Sequence, residues 1–333
     1  MNPKLSEETR GKIHAAADDL LQKWNASHSA IPFRLYHYTS ADGLIGIMKT
    51  SSFFMTDLKY MNDLSELQYG TQVVDAVLNQ KKEEYSSSPA VLEFMKRLTP
   101  TATSSSDGLS IYSTSFCENG NLLSQWRAYG DRGGGYAIGI DIFRSMPFFS
   151  RLCTLRRVIY ERSIQESFVS EFTERFCRFI ADETRDKPLD DSVLNYLIPN
   201  VCLVFSQLLT EYIICFKHPD FAEEREWRLV FAFQFDDPRN LAKREMQRLD
   251  HEKEIQFRSY SGNVIPYVVN NFANAIGASQ DDSYCTPFPV VELVIGPTIN
   301  PELNQRSITA LLRKLAPDIT PVVLRSGIPL RWL

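Results

Sequence analysis

The most concentrated chemistry in the chain lies in Glu224-Arg225-Glu226-Trp227-Arg228. A strand sends alternate side chains to one face, so a strand beginning near Glu224 aims Glu224, Glu226 and Arg228 together. Same-face neighbours then stand about 6–7 Å apart. Two carboxylates and a guanidinium beside the apolar run Leu229-Val230-Phe231 are costly to bury without partners. They imply either a cleft that meets a ligand or a salt-bridged strand end at the surface. In a cleft, such carboxylates could stabilise a developing positive charge or act as a general base.

Three other segments carry reactive types. In Leu35-Tyr36-His37-Tyr38-Thr39-Ser40, His37 could hold a nucleotide ribose or serve as acid or base. It could equally be a buried histidine bonded to backbone. Ser113-Thr114-Ser115 could line a ligand pocket, or be ordinary strand residues. Trp126 and Tyr129, three apart, share one helix face, as core or as a cofactor platform. The run Gly133-Gly134-Gly135 precedes a strand, whereas phosphate-binding loops place glycines between a strand and a helix. It is expected to be a turn. The five histidines (14, 28, 37, 218, 251) and six cysteines (117, 153, 177, 202, 215, 285) are scattered. Neither a metal site nor a disulfide framework is expected from them.

The elements that must position these residues can be read from periodicity. Phe33–Tyr38 alternates as a strand, Ser40–Lys49 has apolar residues at helical spacing, and Ser52–Thr56 is a second strand. Asp63 and Glu66 form a capping box ahead of another helix. Strands are expected at Leu109–Phe116, Tyr136–Ile142, Trp227–Phe233 and Val290–Ile295, and a final helix at Ser307–Leu315. Ile164–Phe216 reads as largely helical. Without regular βαβ alternation, the class is α+β. The expected organisation is an N-terminal helix over 1–30 and one α+β domain over 31–333, with a helical insertion at about 160–216.

The chain of 333 residues is 44% hydrophobic and 23% charged, enough for a sizeable core. A net charge of −5 argues against a generally basic nucleic-acid surface. Met1–Trp24 is charged and amphipathic, without the apolar run and cleavage site of a secretory signal, so a cytoplasmic address is expected. Val193–Phe216 is long and apolar but carries Asn195, Asn200, Gln207 and Glu211. A buried helix is expected there, with no membrane partner.

Taken in order, the motifs resemble the bacterial domain-of-unknown-function 2971 family. The matching residues are Tyr36-His37-Tyr38-Thr39, then Asn62, Asp63 and Glu66, then Ser115-Phe116. Trp126, Tyr129 and Gly130 follow, then Glu224, Glu226, Trp227 and Arg228, and last Val294-Ile295-Gly296-Pro297. The layout is similar to that of the ADP-ribosyltransferase fold. There an early strand supplies Arg or His, a middle strand supplies Ser-Thr-Ser or Tyr, and a late strand supplies Glu. The resemblance implies a mixed sheet core with a large helical insertion. It gives His37 (or Arg34), Ser113-Thr114-Ser115 and the Glu224/Glu226 pair as the site.

The resemblance further implies NAD as substrate, in a transferase or a glycohydrolase. Glu226 would contact the reacting ribose and Glu224 would orient the acceptor. His37 would hold the adenosine-side ribose, Tyr38 and Tyr129 would flank the nicotinamide, and Ser113, Ser115 and Arg228 would complete the pocket. The acceptor is a protein or a nucleic acid. Toxin, effector and phage-defence roles are the ones this layout suggests. Two alternatives stand beside it: a non-catalytic nucleotide- or protein-binding sensor module, and an RNA-modifying enzyme on the same scaffold.

Overall fold

A computed structural model describes residues 7–28, 30–60, 64–85, 88–98, 109–130, 134–146, 153–185, 188–234, 255–260, 262–271 and 288–329. In chain order the elements are α1 (Glu7–Ser27), β1 (Arg34–Thr39), α2 (Ala41–Thr50), β2 (Ser52–Asp57), α3 (Leu64–Glu84), α4 (Pro89–Arg97), β3 (Leu109–Cys117) and α5 (Leu123–Tyr129). Then come β4 (Tyr136–Asp141), α6 (Ile142–Ser145), β5 (Cys153–Arg157), α7 (Arg162–Thr184), α8 (Ile198–Ile213) and β6 (Glu226–Gln234). The chain closes with β7 (Gln256–Tyr260), β8 (Asn263–Asn271), β9 (Val290–Ile295), α9 (Pro301–Leu315) and β10 (Val322–Arg325). The protein is α+β, with a mixed sheet of ten strands.

β3 is the hub of that sheet. Along one edge it pairs with β6 throughout, from Leu109↔Gln234 to Cys117↔Glu226, and β5 lies on the far side of β6. The other edge of β3 is shared. β1 joins it at Tyr36↔Cys117, while β2 joins it at Thr56↔Ser113 and Asp57↔Tyr112. β4, β9 and β10 continue outward from β1, and β8 and β7 from β2. The sheet therefore forks at β3. Between the two arms, Thr114 Oγ1 donates to Phe54 O at 2.7 Å and His37 Nδ1 donates to Ser115 O at 3.0 Å. These side chains satisfy backbone groups that strand pairing leaves over.

One sheet face is apolar. Leu35, Phe53, Phe116, Trp227, Leu229 and Phe231 lie in one buried core with residues of α2 and α9. Residues of opposite parity on the same strands, including Tyr38, Cys117, Ser115, Glu226 and Arg228, face the other way. A second core belongs to the helices: Ile13 of α1, Val73 of α3, Phe94 of α4, Phe172 of α7 and Phe205 of α8 are buried together. The expected insertion at about 160–216 supplies only α7 and α8 of this bundle. α1, α3 and α4 arrive from earlier parts of the chain, and the N-terminal helix is one of its members.

Val193–Ile213 is long and apolar enough to cross a membrane by length and composition. Its contacts are those of a bundle helix: the Phe205 ring lies 5.6, 5.1 and 5.3 Å from those of Phe94, Phe172 and Phe176. Residues Val193–Leu197 form a π-helical turn just ahead of Pro199. Proline lacks an amide hydrogen and its ring clashes with the preceding turn, and a wider turn absorbs both defects.

The glycine run makes a close backbone crossing. Gly135 has φ +80°, and its N-terminal neighbour Gly134 meets two other motif glycines. A Cβ on Gly130 would stand 2.1 Å from Gly134 O, and one on Gly296 would stand 2.7 Å from the same oxygen. Gly296 N donates to Gly135 O at 2.9 Å. The Trp-x-x-Tyr-Gly and Ile-Gly-Pro motifs thus meet at one point, where only a missing side chain lets main chains touch. Gly130→Ala and Gly296→Ala should each destabilise by about 1–3 kcal/mol, the cost of overpacking. Gly46→Ala, in α2 with nothing within 4 Å of the added carbon, should stabilise slightly. Thermal melts of the three variants check this ordering.

Candidate functional site

β6 begins at Glu226, not at Glu224. The preceding residues Pro219–Glu224 form a 3-10 turn, opened by the His218 side chain accepting from Asp220 N. Arg225 then reverses the chain with φ 42°, a left-handed conformation unusual for a residue with a side chain. The expectation that Glu224 shares the strand face is therefore corrected. A lysine brings the two glutamates together. Lys217 Nζ donates to Glu224 Oε2 at 2.6 Å and to Glu226 Oε2 at 3.0 Å.

Arg228 completes the cluster. Its Nε donates to Glu226 Oε1 at 2.7 Å and its Nη2 to Glu226 Oε2 at 3.0 Å, a bidentate pair, and its Nη1 donates to Ile214 O. Glu226 is 4% exposed and Lys217 and Arg228 are each 3% exposed. Two positive and two negative charges thus leave water together and balance, the condition for tolerating such burial. Of the two readings of the motif, the ion pairing is right and the surface location is not.

Neighbours fix the cluster in place. Lys217 follows the end of α8, where Ile159 N donates to Cys215 O and Lys217 N to Ile159 O. Buried Gln165 of α7 donates to Ile159 O at 2.6 Å and to Lys217 O at 3.1 Å, and accepts from Tyr69 of α3 at 2.9 Å. Glu226 N donates to the Tyr160 hydroxyl at 2.9 Å. The Phe221 ring lies 5.1 Å from Lys217 Nζ. Lys217, Gln165 and Tyr160 were not singled out in the sequence. Their one visible signal is a lone lysine ending the apolar run Ile213-Ile214-Cys215-Phe216.

Burial pushes the Glu226 carboxyl upward. The Arg228 and Lys217 charges, with hydrogen bonds from Arg228 and Ser115, overcome it and hold the group at about 2, against an ordinary 4.5. Ser115 stands on β3 opposite Arg228, and Cys117 opposite Glu226. Burial raises the Cys117 thiol well above its usual range, and Glu226 and Glu224 add to the effect. Ser113 lies on the same face, 2% exposed, its hydroxyl without a hydrogen-bond partner among the described residues.

The remaining candidates do not join this cluster. His37 lies on the apolar face, its ring 5.1 Å from that of Phe53 and 5.8 Å from that of Phe116. Burial lowers its basicity. The backbone-bonded reading of this histidine fits its position, and the site-lining one does not, because β1 sends odd-numbered residues away from Glu226. Tyr38 is on the Glu226 face but engaged. Its hydroxyl donates to Asn119 O and accepts from Leu122 N, and its ring packs on Trp126 at 4.7 Å. Trp126 is fully buried while Tyr129 is 43% exposed, so the pair does not form one core face. Arg34, on the same face as Tyr38, pairs with Glu292, which also accepts from Tyr36 at 2.8 Å. Asn62, Asp63, Gly133, Cys285 and the side chain of Glu66 lie outside the described residues. Among the described residues, no three His, Cys, Asp or Glu side chains gather as metal ligands would.

The low pKa of Glu226 has a stability consequence. Because the folded value lies below the unfolded one, the stabilisation is complete above about 4.5 and is lost as pH falls toward about 2. Denaturant melts of the wild-type protein should lose stability across that window, and Glu226→Gln should show a shallower loss there.

No curated protein and no solved structure matches the chain. A family match does exist, and it covers α5, β4, β5, the helices α7 and α8, and the charged start of β6. Residues 125–229 match the model of a family described as a protein of unknown function, DUF2971.

Proposed function

We propose that the protein consumes NAD, as an ADP-ribosyltransferase or an NAD glycohydrolase, with Glu226 beside the reacting ribose. The observation that carries this reading is the register of β3 and β6, which pairs Ser115 with Arg228 and Cys117 with Glu226 and so sets Ser115 beside Glu226. It sets Ser115 of the Ser-Thr-Ser segment and Glu226 of the Glu-x-Glu segment on one sheet face, in line with the resemblance. Breaking the nicotinamide–ribose bond sends the electron pair out with neutral nicotinamide and leaves an oxocarbenium-like ribose. A carboxylate kept ionised stabilises that charge, and Arg228 keeps Glu226 ionised. Water or an acceptor then adds to the ribose carbon. Glu224 orients the acceptor, a protein or nucleic acid. Arg34, on the Glu226 side of β1, takes the ribose-holding role in place of His37. We assign the activity to the cytoplasm, in a toxin, effector or phage-defence setting.

A specific observation favours a second reading, a non-catalytic sensor of a nucleotide or protein: Glu226 is buried and already countercharged by two cations. Nicotinamide release separates the two. Under the first reading, wild type turns over NAD, and Glu226→Gln loses roughly 10²–10³ in rate, the cost of one preorganised transition-state contact. Glu224→Gln should spare hydrolysis more than transfer. Absence of nicotinamide release with and without cell extract as acceptor source, from wild type and also from Lys217→Met, would favour the sensor reading instead.

A further inference from the structure

We propose that Lys217, together with the turn Pro219–Glu224, is an autoinhibitory latch over Glu226. The Lys217 ammonium stands 3.0 Å from Glu226 Oε2, where a carboxylate would draw the positive charge of a ligand. The same nitrogen holds Glu224 at 2.6 Å and so pins the end of the turn. The rest of that turn is exposed: residues 218–223 lie in solvent and only Glu224 is buried. Phe221 closes over the ammonium from the exposed side. Arg225, in its left-handed conformation, is the point at which this flap leaves the strand. Strain of this kind persists only where surrounding contacts enforce it.

The two cations on Glu226 differ in kind. Arg228 is on β6 itself and grips both carboxylate oxygens, so it moves with the strand. Lys217 comes from the junction with the helical bundle, on a flexible four-carbon stem. Withdrawing Lys217 leaves the Glu226–Arg228 pair neutral and intact, with one side of the carboxylate open. The bundle reaches this switch directly, through Gln165 of α7 bonded to Lys217 O and Tyr69 of α3 bonded to Gln165. A ligand or partner that shifts α7 or α3 therefore acts on Lys217. What the uncovered carboxylate does to NAD rests on the function proposed above; the closure itself does not.

Cys117 reports the closure without any substrate. It is 4% exposed and pairs across the ladder with Glu226. Cys177, fully buried in the helical core, serves as internal control. The experiment compares iodoacetamide labelling of both cysteines, mapped by peptide mass, in wild type, Lys217→Met and the charge-balanced Lys217→Met/Glu224→Gln. The double variant removes one cation and one of its two anions, which keeps the buried cluster neutral where the single variant does not. Cys117 should label roughly 10- to 100-fold faster relative to Cys177, the range set by losing one charged hydrogen bond. Unchanged labelling of Cys117, or an equal rise at both cysteines, would overturn the latch. Nicotinamide release is measured on the same samples. Faster Cys117 labelling with faster release supports latch and enzyme together. Faster labelling with no release from any sample keeps the latch and defeats the NAD reading. Release by wild type that does not rise in the opened variants overturns inhibition by Lys217.

Discussion

Four charges share a space that water does not reach, and the requirement that they cancel organises much of the molecule around them. Glu226 and Arg228 come from one strand, Lys217 from the end of a helix, and Glu224 from a turn. None of the four is tolerable there alone, since an unpaired buried ion costs several kcal/mol by general estimates. The sheet and the helical bundle must therefore meet at one spacing. The short bridge between residues 159 and 216 and the side chain of Gln165 hold that spacing.

The helical half depends on a different balance. Its core is unusually aromatic, with Phe94, Phe168, Phe172, Phe176 and Phe205 fully or almost fully buried. Aromatic rings packed edge to face hold shape as well as burying area. Such a core makes a stiff body, and a stiff body lets a displacement at one end of α7 appear at the other. The ion pairs along its outer face, such as Arg175–Glu171 and Arg178–Glu174, are partly or largely exposed and add little.

Much of the framework was legible in the sequence. β1, β2, β3, β4, β6 and β9 announce themselves by β-branched and aromatic content, and α2 by apolar residues at helical spacing; the structure adds a Ser40 cap that accepts from Gly43 N at 3.1 Å. β5 and β7 did not, because Cys153–Arg157 ends in two adjacent arginines and Gln256–Tyr260 has polar residues between Phe257 and Tyr260, while the apolar run of β8 is interrupted by Pro266. β10 was missed for its length of four residues. The site was half legible. Alternation gives parity within one strand, so Glu226 and Arg228 could be paired. It cannot relate parity between β1 and β6, because that depends on the register each makes with β3. His37, which the resemblance puts in the site, lies on the opposite face for that reason. No helix or strand spacing links Lys217 to Glu224, seven residues on, or to Glu226, nine residues on; the turn Pro219–Glu224 and the reversal at Arg225 bring them together.

The forked sheet has a mechanical meaning. The arm β1–β4–β9–β10 and the arm β2–β8–β7 share β3 as their common strand in the hydrogen-bond ladder. Tension or torsion applied to either arm passes along the ladder to the other through the middle of β3. That stretch carries Ser113, Ser115 and Cys117, with Glu226 and Arg228 on the strand alongside. The charged cluster thus sits on the load path of the sheet, where a distant pull is felt as a change in strand spacing.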